Sequence, residues 1–270
     1  MTGRVMVVGS LNIDTLLFVE RPPRVGESIH ALASASRPGG KGGNQAVAAA
    51  AAGAETVMIG AVGADGTRYI RHLQALGVDV RGIRVLQGEP TGFATVIVGG
   101  DGENSVVVSE GSNAYVRAEQ LDALHIREGD VVSLQYELPA EVVARVAEAA
   151  SFAGATVLVN PSPWRADEAG ILRHASSILV NTLEADQIAG LVPQDKLCVT
   201  AGSEGARWGG TAVPAPRITP VDTTGAGDCC AGTRAALLAL GRAREEALTG
   251  AVAAASQACL QPGAQRWRSV

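Results

Sequence analysis

One stretch constrains this chain more than any other: Val221-Asp222-Thr223-Thr224-Gly225-Ala226-Gly227-Asp228. It lies between a Pro-punctuated segment, 213–220, and an apolar helical run, 229–240. Glycines on both sides of one alanine let the backbone turn tightly and leave its amides uncovered. The amides of Ala226, Gly227 and Asp228 then point outward at a helix start. Unpaired N–H groups and the helix dipole suit an anion there, phosphate above all. A carboxylate beside such a loop repels phosphate, so Asp228 makes better sense as a base taking the proton of an attacking hydroxyl. The competing reading is an ordinary loop with Asp228 as helix N-cap. Two familiar phosphate motifs are absent. Cys230 fills the third glycine position of G-x-G-x-x-G, and Lys41 sits between Gly40 and Gly42 with Ala35 where a Walker loop has its first glycine.

A phosphate-handling loop needs a scaffold, and here composition matters. With 270 residues, 47% of them hydrophobic, the chain can bury a large single core, and one domain over 1–270 is expected. Only 3% are aromatic, so that core is aliphatic and tight. A net charge of −5 argues against a nucleic-acid partner. No run is long and apolar enough for a membrane, and the first residues lack a signal peptide's apolar stretch. Cys198, Cys229, Cys230 and Cys259 show no C-x-x-C spacing, and His30, His72, His125 and His174 are scattered. Neither a metal cluster nor a disulfide framework is expected, and a reducing cytoplasm fits.

In chain order, 5–8 reads as a buried strand and 15–19 as another extended run. Asn12 and Asp14 are two apart, so on extended backbone they share a face; capping a turn is the plainer reading. Arg37-Pro38-Gly39-Gly40-Lys41-Gly42-Gly43-Asn44-Gln45 exposes backbone ahead of an Ala-rich helix, 46–52, with Asn44 as a plausible N-cap. Strand patterns follow at 56–62, 78–85, 92–98 and 106–109, with a helix at 67–76. From 131 onward strands (131–134, 156–159, 177–180, 197–200) alternate with helices (139–150, 183–191). Such alternation argues for a parallel sheet covered by helices, with ligands at the carboxyl ends of its strands. Asn12, Glu137, Asn160 and Asn181 all fall just after strand-like runs.

The two Gly-rich stretches together carry a resemblance. Gly39-Gly40-Lys41-Gly42-Gly43-Asn44-Gln45-Ala46, followed by Asp222-Thr223-Thr224-Gly225-Ala226-Gly227-Asp228, resembles the paired signatures of the ribokinase-like (PfkB) carbohydrate kinases. Gly9-Ser10-Leu11-Asn12-Ile13-Asp14, Asp101-Gly102-Glu103-Asn104 and Gly111-Ser112-Asn113-Ala114 add to it, in order from about 5 to 265. The resemblance implies an α/β three-layer sandwich, its central sheet mainly parallel. A small β-sheet lid would come from about 11–40 and 91–110, with 78–85 counted among the short lid strands. It implies an ATP-dependent sugar kinase, D-ribose leading, with a nucleoside, another furanose, or a sugar-binding protein without turnover as alternatives.

It also implies residues. Asp228 is the base, and the Gly225-Ala226-Gly227 amides hold the γ-phosphate. Asn12, Asp14, Gly39, Gly40, Lys41, Asn44 and Glu137 bind the sugar, with Ala94 and Val108 above it from the lid. Asn181, Thr200, Gly202, Ser203 and Gly205 serve the nucleotide; a plain strand-to-strand turn is the other reading of 200–205. Glu184, in Asn181-Thr182-Leu183-Glu184, holds magnesium through water, or is merely a first-turn acid facing the helix dipole. A monovalent cation such as potassium is expected at Asp222 with carbonyls of Thr224, Ala258, Gln261 and Gly263. Ribokinase-like lids often pair into homodimers. The chain departs from the family pattern at Cys229-Cys230 (usually Thr-Phe), at Trp267 (a small hydroxyl) and between 184 and 200, where it is shorter by about one helix.

Overall fold

The computed structural model describes residues 3–100 and 104–265; Asp101, Gly102, Glu103 and Trp267 lie outside the described residues. Thirteen strands and six α-helices are described. In chain order they begin β1 (Val5–Val8), β2 (Asn12–Phe18), β3 (Ala33–Gly39), α1 (Lys41–Ala51), β4 (Thr56–Gly63), α2 (Thr67–Ala75), β5 (Val78–Leu86), β6 (Phe93–Val98) and β7 (Asn104–Ser109). They continue β8 (Val131–Gln135), α3 (Ala140–Phe152), β9 (Thr156–Asn160), β10 (Ser177–Asn181), α4 (Thr182–Gln187), β11 (Leu197–Thr200), β12 (Ala206–Trp208), β13 (Thr211–Val213), α5 (Ala226–Ala239) and α6 (Arg244–Ala258).

Nine strands form one sheet in the order β13-β12-β11-β10-β9-β8-β1-β4-β5. From β11 to β5 every pairing is parallel, and β12 and β13 add an antiparallel edge. The central strands are apolar throughout: Val5, Met6, Val7 and Val8 are all fully buried, as strands covered on both faces must be. One face packs α3 through Val143, Val146 and Ala147 against Met6, Ile59 and Leu134. The other packs α1 and α5 through Ala46, Ala49, Ala235 and Ala236 against Val5, Val7 and Met58. Each large aliphatic side chain so buried contributes roughly 1.5–3 kcal/mol. The fold is therefore α/β, with helices on both faces of a mainly parallel sheet.

Alanine packing brings α1 and α5 close, and glycine closes the remaining gap. A Cβ at Gly232 would stand 2.2 Å from the carbonyl oxygen of Gln45. Any larger residue there would push α5 off α1 and separate Asp228 from Asn44 and Gln45. A buried guanidinium sits on the same helix. Arg234 is 1% exposed, donates to the Ser177 hydroxyl (3.0 Å) and lies 4.8 Å from the Trp208 ring.

The second sheet has four strands, β3-β2-β6-β7. Asn12, Ile13 and Asp14 of β2 pair with Gly39, Pro38 and Arg37 of β3, and Ala94 of β6 pairs with Val108 of β7. Three expectations need correction. The 78–85 strand is not part of this sheet: β5 runs parallel to β4 at the edge of the large one. And Ala33–Gly39 is a strand, with α1 starting at Lys41, so Asn44 falls inside the first turn and Gly40 is the N-cap. The 183–191 helix is also shorter, ending at Gln187. Among the described residues no helix is long and apolar enough to cross a membrane.

Candidate active site

The parallel strands β1, β8, β9, β10 and β11 deliver Ser10, Glu137, Asn160, Asn181 and Thr200 at or just beyond their carboxyl ends. This is the edge where open α/β sheets bind ligands. The N-termini of α1 and α5 converge on the same edge, because Gly232 lets the two helices touch.

Asp228 stands in the first turn of α5, 6% exposed. Its Oδ2 accepts from Asn44 Nδ2 (2.9 Å) and its Oδ1 from Gln45 Nε2 (3.2 Å). Both donors are neutral amides, so they orient the carboxylate and leave lone pairs for one more hydroxyl. The donors are themselves held. Gln265 Nε2 donates to Asn44 Oδ1 (2.8 Å) and to the Tyr69 hydroxyl (2.6 Å), which donates to the Gly39 carbonyl (2.7 Å). Gln45 Oε1 accepts from the Ser133 hydroxyl (2.8 Å) and Gln135 Nε2 (2.7 Å). Gln45, Gln265, Ser133 and Gln135 went unassigned in the sequence. Gln45 was visible in the Gly-rich stretch; Gln265, whose partner lies 221 positions away, carries no local signal.

The loop before α5 opens toward the cleft. Gly225 has φ 74, which favours glycine, and a Cβ there would also strike Ala264 at 2.3 Å. The Ala226 amide turns back onto the Thr223 carbonyl (3.2 Å). That leaves the amides of Gly225, Gly227 and Asp228 with no acceptor among the described residues. A Cβ on Gly227 would meet nothing within 4 Å, so its face is open. Lys41, Asn181, Glu184, Thr200 and Asp228 line this same cleft. Burial pulls the Lys41 ammonium down, but Asp228, Glu137 and Glu184 together hold it above its ordinary value. Glu184 belongs to a capping box, Asn181 N donating to its Oε2 (3.0 Å) and Asn181 Oδ1 accepting from its amide (2.8 Å). The helix-terminal role and the place in the cleft therefore coexist in one residue.

On the other side, β2 and β3 place Asn12, Asp14, Gly39 and Gly40 side by side. Asn12 Oδ1 accepts from Asn113 Nδ2 (2.9 Å), and Asn113 also clamps the Leu11 amide and carbonyl. Asp14 Oδ1 accepts from the Ala94 amide (3.1 Å). Burial, with the like charge of Glu137 adding to it, raises the Asp14 carboxyl to about 6 against that hydrogen bond. Glu137 Oε2 accepts from the Ser10 hydroxyl and the Lys41 amide (3.1 Å). Val108, opposite Ala94, is exposed.

A second cavity of ≈ 520 Å³ shares Thr200, Thr223, Ala226 and Gly227 with the cleft. Gly202, Ser203 and Gly205 line it, with 215–218 and the last turns of α6; Asn181 does not. None of its lining comes from 184–199. Cys230 lies in this wall as a neutral thiol, pushed up to about 12 by burial.

Asp222 sits just before the loop. Its Oδ1 accepts from the Thr224 amide (2.9 Å), its Oδ2 from the Gly263 amide (2.8 Å), and Arg37 Nη1 lies 3.6 Å from Oδ2. Burial pushes this carboxyl up, but the Thr224 and Gly263 hydrogen bonds and the Arg37 charge hold it below its usual range. Gln261 N donates to the Ala258 carbonyl (3.3 Å) at the end of α6. Among the described residues no three His, Cys, Asp or Glu cluster as metal ligands.

A buried carboxylate at an open helix N-terminus, a polar cup and an adjoining apolar cavity are parts a phosphoryl-transfer site can use. Comparison with known proteins agrees. Residues 2–269 match the model of the "pfkB family carbohydrate kinase". Ribokinase of Bacillus subtilis (strain 168) is 35% identical over 97% of this chain and 94% of its own length. Arabidopsis thaliana ribokinase, solved with ribose and ATP, superposes with a TM-score of 0.85 at 28% identity, over 97% of this chain and 94% of that one. Ribokinase from Cryptococcus neoformans var. grubii, solved with ADP, gives 0.82 at 29%, over 97% and 95%. The chain belongs to the pfkB family of carbohydrate kinases.

Proposed function

We propose that this kinase transfers the γ-phosphoryl group of ATP to the primary hydroxyl of D-ribose, giving ribose 5-phosphate and ADP. One observation carries the reading: the Asp228 carboxylate, fixed by Asn44 and Gln45, stands at the open start of α5 beside unpaired amides. The hydroxyl oxygen attacks the γ-phosphorus, the bond to the β–γ bridging oxygen breaks, and the hydroxyl proton passes to Asp228. The amides of the loop take the charge of the transferring group. Asn12, Asp14, Lys41, Asn44 and Glu137 select the sugar by directional hydrogen bonds, under a lid drawn from 11–40 and 91–110 of a single domain. Adenosine lies in the second cavity against Thr200, Gly202, Ser203 and Gly205.

Magnesium fits one cleft carboxylate plus water, its usual donor set, so Glu184 would hold it there, and the ion would neutralise phosphate charge. A monovalent positive charge at Asp222, next to the loop, completes the site. Four free thiols suit a reducing cytoplasm. Exposed Val106, Val107 and Val108 on the edge strand β7 support pairing of two lids in a homodimer. The test is ADP release with ribose, fructose, adenosine and pseudouridine. Ribose is expected to give the highest kcat/KM; a nucleoside ahead of it would reassign the substrate, and no turnover with any would make this a binding protein.

A further inference from the structure

We infer that the guanidinium of Arg37 supplies the fixed monovalent charge beside the anion-binding loop, so that this kinase works without potassium. The inference rests on the kinase reading above and concerns how its loop is held.

The expected cation shell centres on Asp222, its one carboxylate. In this chain both oxygens of that carboxylate already accept a backbone amide. One oxygen accepts the Thr224 amide and the other the Gly263 amide, at 2.9 and 2.8 Å. Arg37 Nη1 stands 3.6 Å from the second oxygen. The same guanidinium lies over Gly263: a Cβ there would sit 3.2 Å from Nη1 and 3.5 Å from Cδ of Arg37. The space next to Asp222 and Gly263 is thus held by a cation that belongs to the chain. A potassium ion in contact with Asp222 would meet a like charge and compete with two amides for the same oxygens. The oxygens are of a kind a free cation could use, but the place beside them is taken by a planar guanidinium, which is always charged and weakly hydrated.

The placement has a function beyond charge balance. Arg37 stands on β3, paired with Asp14 of β2, one residue before the Pro38-Gly39 end of the strand. Asp222 stands three residues before Gly225, and its hydrogen bond to the Thr224 amide shapes the approach to the loop. A charge on the small sheet thereby fixes the carboxylate that orients the anion hole. Arg37 is a positioning residue, acting on phosphate through Asp222 and the loop.

The experiment measures kcat in KCl, NaCl and tetramethylammonium chloride at equal ionic strength, for the wild type, Arg37→Ala and Arg37→Met. Melting temperatures of the same proteins are read without substrates. The wild type should turn over at equal rates in all three salts. Both variants should slow about tenfold in tetramethylammonium and recover in potassium. Potassium should raise the melting temperature of the variants and leave the wild type unmoved. A wild type about tenfold slower in tetramethylammonium than in potassium would overturn the inference. So would a variant as fast as the wild type without potassium, or potassium stabilising all three proteins alike. If no sugar is turned over in any salt, the kinase reading fails, while the melting temperatures still decide the place of Arg37.

Discussion

The two halves of the site are built from different materials. The proposed sugar half is made of buried and half-buried side chains held by hydrogen bonds: Asn12 to Asn113, Asp14 to the Ala94 amide, Glu137 to Ser10 and the Lys41 amide, Asn44 to Asp228 and Gln265. The nucleotide half is made of glycines, alanines and small apolar groups, among them Gly202, Gly205, Ala206, Val252 and Ala255. A fixed polar cup rejects a ligand that leaves its groups unpaired, whereas a smooth apolar slot selects only by shape. Discrimination in this enzyme is therefore concentrated on the sugar.

The difference can be broken at four points, in falling order of effect. Asp228→Asn keeps the size and shape of the carboxylate, but it offers one acceptor instead of two to the amides of Asn44 and Gln45 and cannot accept a proton. It should lose at least about 10²-fold in kcat while sugar and ATP still bind; near-normal turnover would reduce Asp228 to a helix cap. Asp14→Ala should cost about 1.5–3 kcal/mol of ribose affinity, read as KM, with the KM for ATP unmoved. An unchanged ribose KM would remove Asp14 from the cup.

Third, pH should act on one half only. Asp14 titrates at about 6 in the sugar-free protein, and its ionised form is the better acceptor for sugar hydroxyls. Ribose KM should fall as pH rises through that value while the KM for ATP stays level, and Asp14→Asn should flatten the profile. The sign for stability is opposite. Because the folded-state value lies above the ordinary 3.8, this group's contribution is fully present below 3.8 and lost as pH rises through about 6. A melting temperature that rose across this window in the wild type relative to Asp14→Asn would contradict the assignment. Last, Ser203→Ala in the nucleotide turn should change ATP affinity by no more than about 0.5 kcal/mol, measured by calorimetry, since that half relies on backbone and shape.

The same division decides what could be read from the sequence. The two Gly-rich stretches were legible as a pair, whereas each alone reads as an ordinary loop ahead of a helix. The parallel core was legible from continuous apolar runs such as Val5 to Val8 followed by helices. β5 departs from the expectation because an edge strand mixes exposed charges with buried positions much as a lid strand does: Arg81 and Arg84 are exposed while Val78 and Gly82 are buried. β3 was missed because Ala-Ser-Ala-Ser-Arg-Pro-Gly offers no apolar face and contains a proline, tolerable only on an edge. Asn44 is not the cap its place in the sequence suggests, since a Gly-rich run hides where helical geometry starts; its side-chain amide reaches Asp228, 184 positions away. Gln265 and Arg37 act through long-range contacts, which no local pattern encodes.

The bond between Gln265 and Asn44 also sets a timetable. These residues are 221 positions apart, and Gln265 reaches Tyr69 as well. At roughly 5–20 residues per second, a ribosome adds Gln265 on the order of ten to forty seconds after Asn44. Through that interval the strands β1 to β5 are already made, but the amide meant for Asp228 has no anchor, and for most of it Asp228 itself is not yet made. A growing chain is thus a folded scaffold long before it is an enzyme, and a nucleotide meeting it early finds no base with which to be spent.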